Sequence, residues 1–340
     1  MKYTLFSHLF ATAILAARPF LNKPDTGIDD ALAIPQNGSL PDLSRLLGLP
    51  DFHWAARHVG EWSYRNNLEA FHRLRFRPRV MVDVVDIEAS LGILGFKFSA
   101  PFFISLSATA GMVHPKAERG LPSLASTLSM SDVAEARVTQ DQILFNRIEQ
   151  SGAKATVLTV DSAGDRTRHR ALRYVPDTNI ARTVRYTYMT WPYYQQLQNM
   201  TSLHIILKGI QTVEDARMAI KVGAPAIFLS NHGGRMLDGA PSTIEVALEI
   251  LKHDPIIFQQ TEVYADGGVR YDTDILKLLA LGVRAVGLGR PFMFANVFGA
   301  EGVARAIQLL KREVATSAAA LEVRNFKRID HTNVESTPNG

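Results

Sequence analysis

Residues 262–290 read EVYADGGVRYDTDILKLLALGVRAVGLGR. A short apolar run, EVYADG (262–267), breaks on glycines. An amphipathic segment, DTDILKLLALGV (272–283), follows, and a second apolar run, AVGLGR (285–290), closes the stretch. Strand, helix, strand within thirty residues is the unit of a parallel sheet covered by helices, because parallel neighbours need a crossover connection. The same grammar recurs outward from this stretch. PFFISL (101–106), ATVLTV (155–160), HIILKG (204–209) and AIFLSN (226–231) read as strands, and VEDARMAIKVG (213–223) and STIEVALEILKH (242–253) as helices. A long final helix begins near Ala300. Strand spacing of about 22 residues without antiparallel hairpins predicts a TIM (β/α)8 barrel rather than an open sheet.

One interval is too short for that barrel. Only 48 residues separate Leu106 from Ala155, whereas a barrel uses roughly 30 per βα unit. LPSLAS (121–126) reads as a weak second strand and SDVAEARVTQDQILFNRIEQSGA (131–153) as helix, and no third strand is visible. The expectation is a barrel shortened between strands 2 and 4.

The 340 residues are 46% hydrophobic and 21% charged, the profile of an ordinary globular chain able to bury a large core. Net charge is only +4, and basic residues concentrate in one place, RTRHRALR (166–173), so nucleic acid is not an expected partner. The absence of cysteine excludes disulfides, thiolate metal sites and a cysteine nucleophile. The N-terminus, MKYTLFSHLFATAILAARPF, has Lys2, about fourteen mainly apolar residues and small residues at Ala16-Ala17, the layout of a secretory signal peptide. That run is too short and interrupted to span a membrane. It predicts a secreted protein divided into signal peptide (1–17), lead-in (18–66), barrel (67–325) and tail (326–340). Two glycosylation triplets, at Asn37 and Asn199, fit secretion.

Polar residues cluster where the strands end. SNHGGRMLDGAP (230–241) sets His232 and Arg235 three apart around Gly233-Gly234, whose backbone can take dihedrals closed to other residues. ADGGVR (265–270) and GLGRP (287–291) end successive strands on glycines and an arginine. Loops after the last two barrel strands often bind phosphate, which Arg270 and Arg290 suit, with Gly267, Gly268 and Gly289 permitting close backbone approach. Lys208 closes IILK and could offset developing negative charge, or lie at the surface. Asp161 closes TVLTVD and could orient a histidine base, or cap the next segment.

These residues together resemble the FMN-dependent 2-hydroxy-acid oxidases and dehydrogenases, the family of glycolate oxidase, lactate oxidase and flavocytochrome b2. The resemblance runs from about Leu68 to Val323. It rests on FHRLRFRPRVMVDV (71–84), SATAGMVHP (107–115), LTVD (158–161), ILKGIQTVEDA (206–216), SNHGGRMLDGAP, DGGVRYDTDILKLLALG (266–282) and GLGRPF (287–292). It implies FMN as cofactor and a small 2-hydroxy acid as substrate. His232 would be the base, with Asp161 stabilising its imidazolium form. Arg235 and Arg168 would hold the substrate carboxylate, and Lys208 would lie by the flavin N1 edge. Ser107 and Ala108 would lie against the flavin ring. Asp266 would meet the ribityl hydroxyls, and Gly268, Arg270, Gly289 and Arg290 the phosphate side. Oxygen is the expected electron acceptor and a homotetramer the expected assembly. Two family features are missing. The third-strand Gln-Leu-Tyr run is not present, and the substrate-binding tyrosine is missing too. His53 takes its place if no gap is opened, but the preferred reading is that a short piece carrying it is absent between Trp54 and Gly60. A catalytically impaired FMN-binding barrel is therefore the alternative expectation.

Overall fold

The computed structural model describes residues 61–85, 87–105, 125–128, 134–150, 152–162 and 189–337. Helix α1 (Glu61–Glu69) leads into β1 (Leu74–Phe76), which pairs antiparallel with the terminal strand β11 (Val334–Ser336). A hairpin follows, β2 (Leu91–Ile93) and β3 (Phe96–Phe98). The barrel strands are β4 (Phe102–Ile104), β5 (Ala125–Leu128), β6 (Ala155–Thr159), β7 (His204–Ile210), β8 (Ala226–Leu229), β9 (Glu262–Asp266) and β10 (Ala285–Leu288). Between and after them come α2 (Ala134–Gln150), α3 (Trp191–Gln198), α4 (Val213–Lys221), α5 (Thr243–His253), α6 (Ile257–Gln260), α7 (Asp272–Ala280), α8 (Arg290–Ala295) and α9 (Gly299–Ala320).

The seven barrel strands form one sheet in the order β4-β10-β9-β8-β7-β6-β5, and every pair is parallel. This is the α/β barrel order, read from the first strand backwards through the last. Because side chains alternate across a strand, the sheet carries two cores. Ile205, Leu207, Ile227, Leu229, Val263, Ala265, Val286 and Leu288 face the helices. Ala155, Val157, Ile206, Ala226, Phe228, Tyr264 and Ala285 face inward and pack with Leu91 and Ile93 of the hairpin. The hairpin thus seals the end of the barrel where the strands begin. Its turn places Leu94 (φ 47°) and Gly95 (φ 81°) in the left-handed region, as a tight two-residue hairpin requires. Glu262 accepts the Leu94 amide at 3.1 Å and Arg284 Nε donates to the Gly92 carbonyl at 2.8 Å.

Two expectations need correction. The antiparallel hairpin was not anticipated, although apolar runs around Leu94-Gly95 carry its signal. The strand expected at 121–126 is Ala125–Leu128, and it pairs with β6, not with β4. It therefore stands directly beside β6 in the ladder. Residues 106–124, which connect β4 to β5, lie outside the described residues. Among the described residues no ladder joins those two strands. Length alone could not show this, because register is decided by what a strand packs against.

Candidate active site

The inward-facing positions form layers. Phe103, Phe228 and Tyr264 make a floor of edge-to-face rings, with centroids 5.5 to 6.2 Å apart. Two residues further along the strands, the same inward face carries Ser105, Ser230 and Asp266, joined by Lys208 of β7. A period of two turns an apolar strand into a polar mouth without breaking its outer, helix-facing row.

Lys208 is buried, its Nζ 5.3 Å above the Phe228 ring. It donates to Ser230 Oγ at 2.7 Å and stands 3.4 Å from Asp266 Oδ2. Asp266 accepts from the hydroxyls of Ser105 and Ser230. Burial works against its charge, yet the Lys208 ammonium and the two hydroxyls prevail and hold the carboxyl below its usual range. The expected ribityl contact therefore falls on a carboxylate that already has three protein partners.

His232 Nδ1 lies 3.1 Å from Asp161 Oδ1, and the Asp161 side chain is wholly buried. A carboxylate accepts the Nδ1 proton, which leaves the Nε2 lone pair as the basic site. Burial lowers the imidazole pKa to about 4. The hydrogen bond that Nδ1 donates to Asp161 opposes that shift, while the Lys208 and Arg235 charges reinforce it. The ring is thus neutral near pH 7. Gly209 explains how Asp161 reaches it. A Cβ on Gly209 would meet the Asp161 Cβ at 2.6 Å, and its φ of 110° suits glycine alone.

The glycines of SNHGGR do a related job. His232, Gly233 and Gly234 have φ of 60°, 65° and 74°, and for histidine that conformation costs on the order of 1 kcal/mol or more. A Cβ on Gly234 would come within 2.9 Å of the Tyr64 amide nitrogen, and one on Gly233 within 3.3 Å of the Arg290 guanidinium. Helix α1 is clamped on this loop from outside. Asn67 and Asn231 exchange side-chain hydrogen bonds at 2.9 and 2.7 Å, and the Ser63 amide donates to Asp238 at 2.9 Å. A Cβ on Gly268 would sit 2.0 Å from the Asn67 carbonyl, so this glycine's bareness admits α1.

Arg290 is buried, stacks 5.2 Å from the Tyr64 ring and donates to the Gly233 carbonyl at 3.0 Å. Its pKa is driven down first by burial, then by repulsion from Arg235 and Arg270. Arg270 Nη2 is buried with no hydrogen-bond partner among the described residues. The space a Cβ would enter at Gly289 is open. Three guanidinium groups that repel one another, Arg290 buried and Arg235 and Arg270 half-buried, call for an anion, and a phosphate fits them. The structure therefore gathers Asp161, Lys208, His232, Arg235, Asp266, Arg270 and Arg290 at one end of the barrel. Arg168, Ser107, Ala108, the segment 1–17 and Asn37 lie outside the described residues. Reasoning from sequence missed Ser105, Ser230, Asn67, Asn231, Gly209 and Tyr64. For Ser230 the signal was there: two residues after inward-facing Phe228, it had to face inward.

Residues 50–187 and 175–336 match the model of the FMN-dependent dehydrogenases. The chain belongs to that family. Membership makes FMN its cofactor and confirms the α/β barrel. It is 32% identical to glycolate oxidase 3 of Arabidopsis thaliana, over 84% of this chain and 90% of that one. To the L-lactate dehydrogenase (cytochrome) of Wickerhamomyces anomalus it is 31% identical over 85% of this chain. The aligned part covers 61% of that protein, about three-fifths of its length. Among solved structures, the flavin-binding domain of baker's yeast flavocytochrome b2 superposes with a TM-score of 0.76 at 26% identity, covering 98% of this chain and 90% of that one. A mandelate oxidase point mutant with (S)-mandelic acid gives 0.73 at 29% identity, covering 88% and 98%. No described helix is long and apolar enough to cross a membrane.

Proposed function

We propose that this chain oxidises a small 2-hydroxy acid to the 2-oxo acid. The observation that carries the reading is the His232–Asp161 pair, 3.1 Å apart, at the same strand ends as Lys208 and the arginine group. His232 Nε2 takes a proton from the substrate, and Asp161 stabilises the imidazolium that results. Arg235, whose charge is felt at His232, holds the substrate carboxylate. Arg270 and Arg290 hold the cofactor phosphate, and Lys208 faces the ring. FMN, when bound, accepts the two electrons that leave the substrate α-carbon. Oxygen is the proposed final acceptor, and the relatives' names support a hydroxy acid as substrate. The test is direct. Purified protein should be yellow, release FMN on denaturation, and form a 2-oxo acid and hydrogen peroxide from glycolate, lactate or mandelate. FAD or NAD recovered in stoichiometric amount overturns it.

Among the described residues no ladder joins β4 to β5, and 48 residues between Leu106 and Ala155 are few for two βα units, which favours a second reading, an FMN-binding barrel with little turnover. Flavin retained without 2-oxo acid from any of the three substrates would select it. The N-terminal pattern supports secretion with cleavage near Ala16-Ala17, and glycans at Asn37 and at Asn199, which is exposed at the end of α3. The mature N-terminus and a mass shift on glycosidase treatment test both. Assembly as a homotetramer is tested by light scattering.

A further inference from the structure

Ser105 has no part in the chemistry just described, yet it is buried and spends its hydroxyl on Asp266 Oδ2. Asp266 Oδ1 is held by the Ser230 hydroxyl, which also accepts from Lys208 Nζ at 2.7 Å. Lys208 therefore reaches Asp266 through Ser230, while the direct separation, 3.4 Å to Oδ2, is longer than a good N–H···O bond. The two hydroxyls occupy the carboxylate that would otherwise close on the lysine. Ser105 is fixed for this task, since its amide donates to the Leu288 carbonyl at 2.9 Å. On the opposite side, a Cβ at Gly287 would lie 3.1 Å from the Ser105 Cβ, so the inward face is closed against it.

We infer that Ser105 is a positioning residue that keeps Asp266 from neutralising Lys208 and so sets the reduction potential of the bound cofactor. The inference rests on the FMN reading and on Lys208 facing the ring. Reduction of FMN to its anion takes up two electrons and one proton, so the ring gains one negative charge. A lysine whose charge is incompletely compensated favours that charged form over the oxidised one. Without the Ser105 hydroxyl, Oδ2 loses its donor, and the nearest replacement is Lys208 Nζ. Closing from 3.4 Å to direct hydrogen-bond distance pairs the lysine with Asp266 and withdraws it from the ring. A role confined to fold stability would weaken both redox forms of the cofactor alike and leave their ratio unchanged.

The experiment compares wild type with Ser105→Ala, both loaded with FMN. The midpoint potential is measured by equilibration with a reference dye under a chemical reductant, and the dissociation constant of oxidised FMN by titration of apoprotein. The expected result is about tenfold weaker relative binding of reduced FMN in the variant, equivalent to about 30 mV more negative for a two-electron couple. Affinity for oxidised FMN should change little. Asp266→Asn, which removes the compensating charge, should move the potential the opposite way. Equal potentials in wild type and Ser105→Ala overturn the inference, as does a shift of the same sign in both variants. A wild-type chain that takes up no FMN overturns the reading on which it rests, and is told apart because neither protein is then coloured.

Discussion

The sheet from β7 to β10 and the pair of strands at its ends are built differently. In the first region every strand has a neighbour on both sides, an apolar row against the helices, and an inward row running from rings to Lys208, Ser230 and Asp266. The strands β4 and β5 each have one described neighbour. The chemistry sits almost wholly in the first region. From the other side come Asp161, just after β6, and Ser105, just after β4, and both are held by groups of the first region. Among the described residues, the charged groups thus gather at the strand ends of the half that has its own two-sided core.

Hydrogen exchange tests the comparison most severely. Ser105 donates to Leu288, so by the alternation of a parallel ladder the Ile104 amide points away from β10. That amide should exchange at least about 10³-fold faster than the amide of central Phe228, whose opening requires much of the domain's stability. Protection at Ile104 equal to that at Phe228 would mean that the sheet closes beyond the described strands.

Next in size is His232→Gln, expected to lower kcat by about 10²- to 10⁴-fold, some 3–5 kcal/mol in the barrier, with FMN retained. More than a tenth of wild-type turnover would remove His232 as the base. The same imidazole should make the apoprotein acid-sensitive. Its folded pKa of about 4 lies below the unfolded 6.5, so its stabilising effect is complete above pH 6.5 and lost as pH falls toward 4. The loss amounts to about 3 kcal/mol. His232→Gln should flatten that part of a Tm-against-pH curve, and an unchanged curve would contradict the burial argument.

Gly209→Ala is smaller but carries two signatures. The added Cβ meets Asp161, so about 1–3 kcal/mol of stability should go, together with turnover, because Asp161 no longer seats His232. Full activity in a destabilised variant would separate Asp161 from the reaction. Smallest is Arg217→Ala, which breaks a half-exposed pair with Asp254 2.7 Å apart on the outer helices. A change of under about 1 kcal/mol, with no effect on FMN binding, is expected by denaturant melt.

Much of this was legible from sequence. Alternating strands and helices announced the parallel sheet, because helix-facing rows must be apolar and crossovers must be long. SNHGGR, DGGVR and GLGR marked the strand ends, because glycine and charge at the close of an apolar run have no place in a core. His232, Arg235, Lys208, Asp161, Arg270 and Arg290 could be named on that basis. What tertiary structure alone decided was contact between distant segments. It set Ala125–Leu128 beside β6 and not β4, and it closed the barrel floor with a hairpin. It also docked α1 on Gly234 and Gly268, and gave Asp266 to Ser105, Ser230 and Lys208 together. A serine, an asparagine or a bare glycine has the same meaning in any sequence. Its role follows from the partner that packing brings within 3 Å, and local pattern holds no information about that partner.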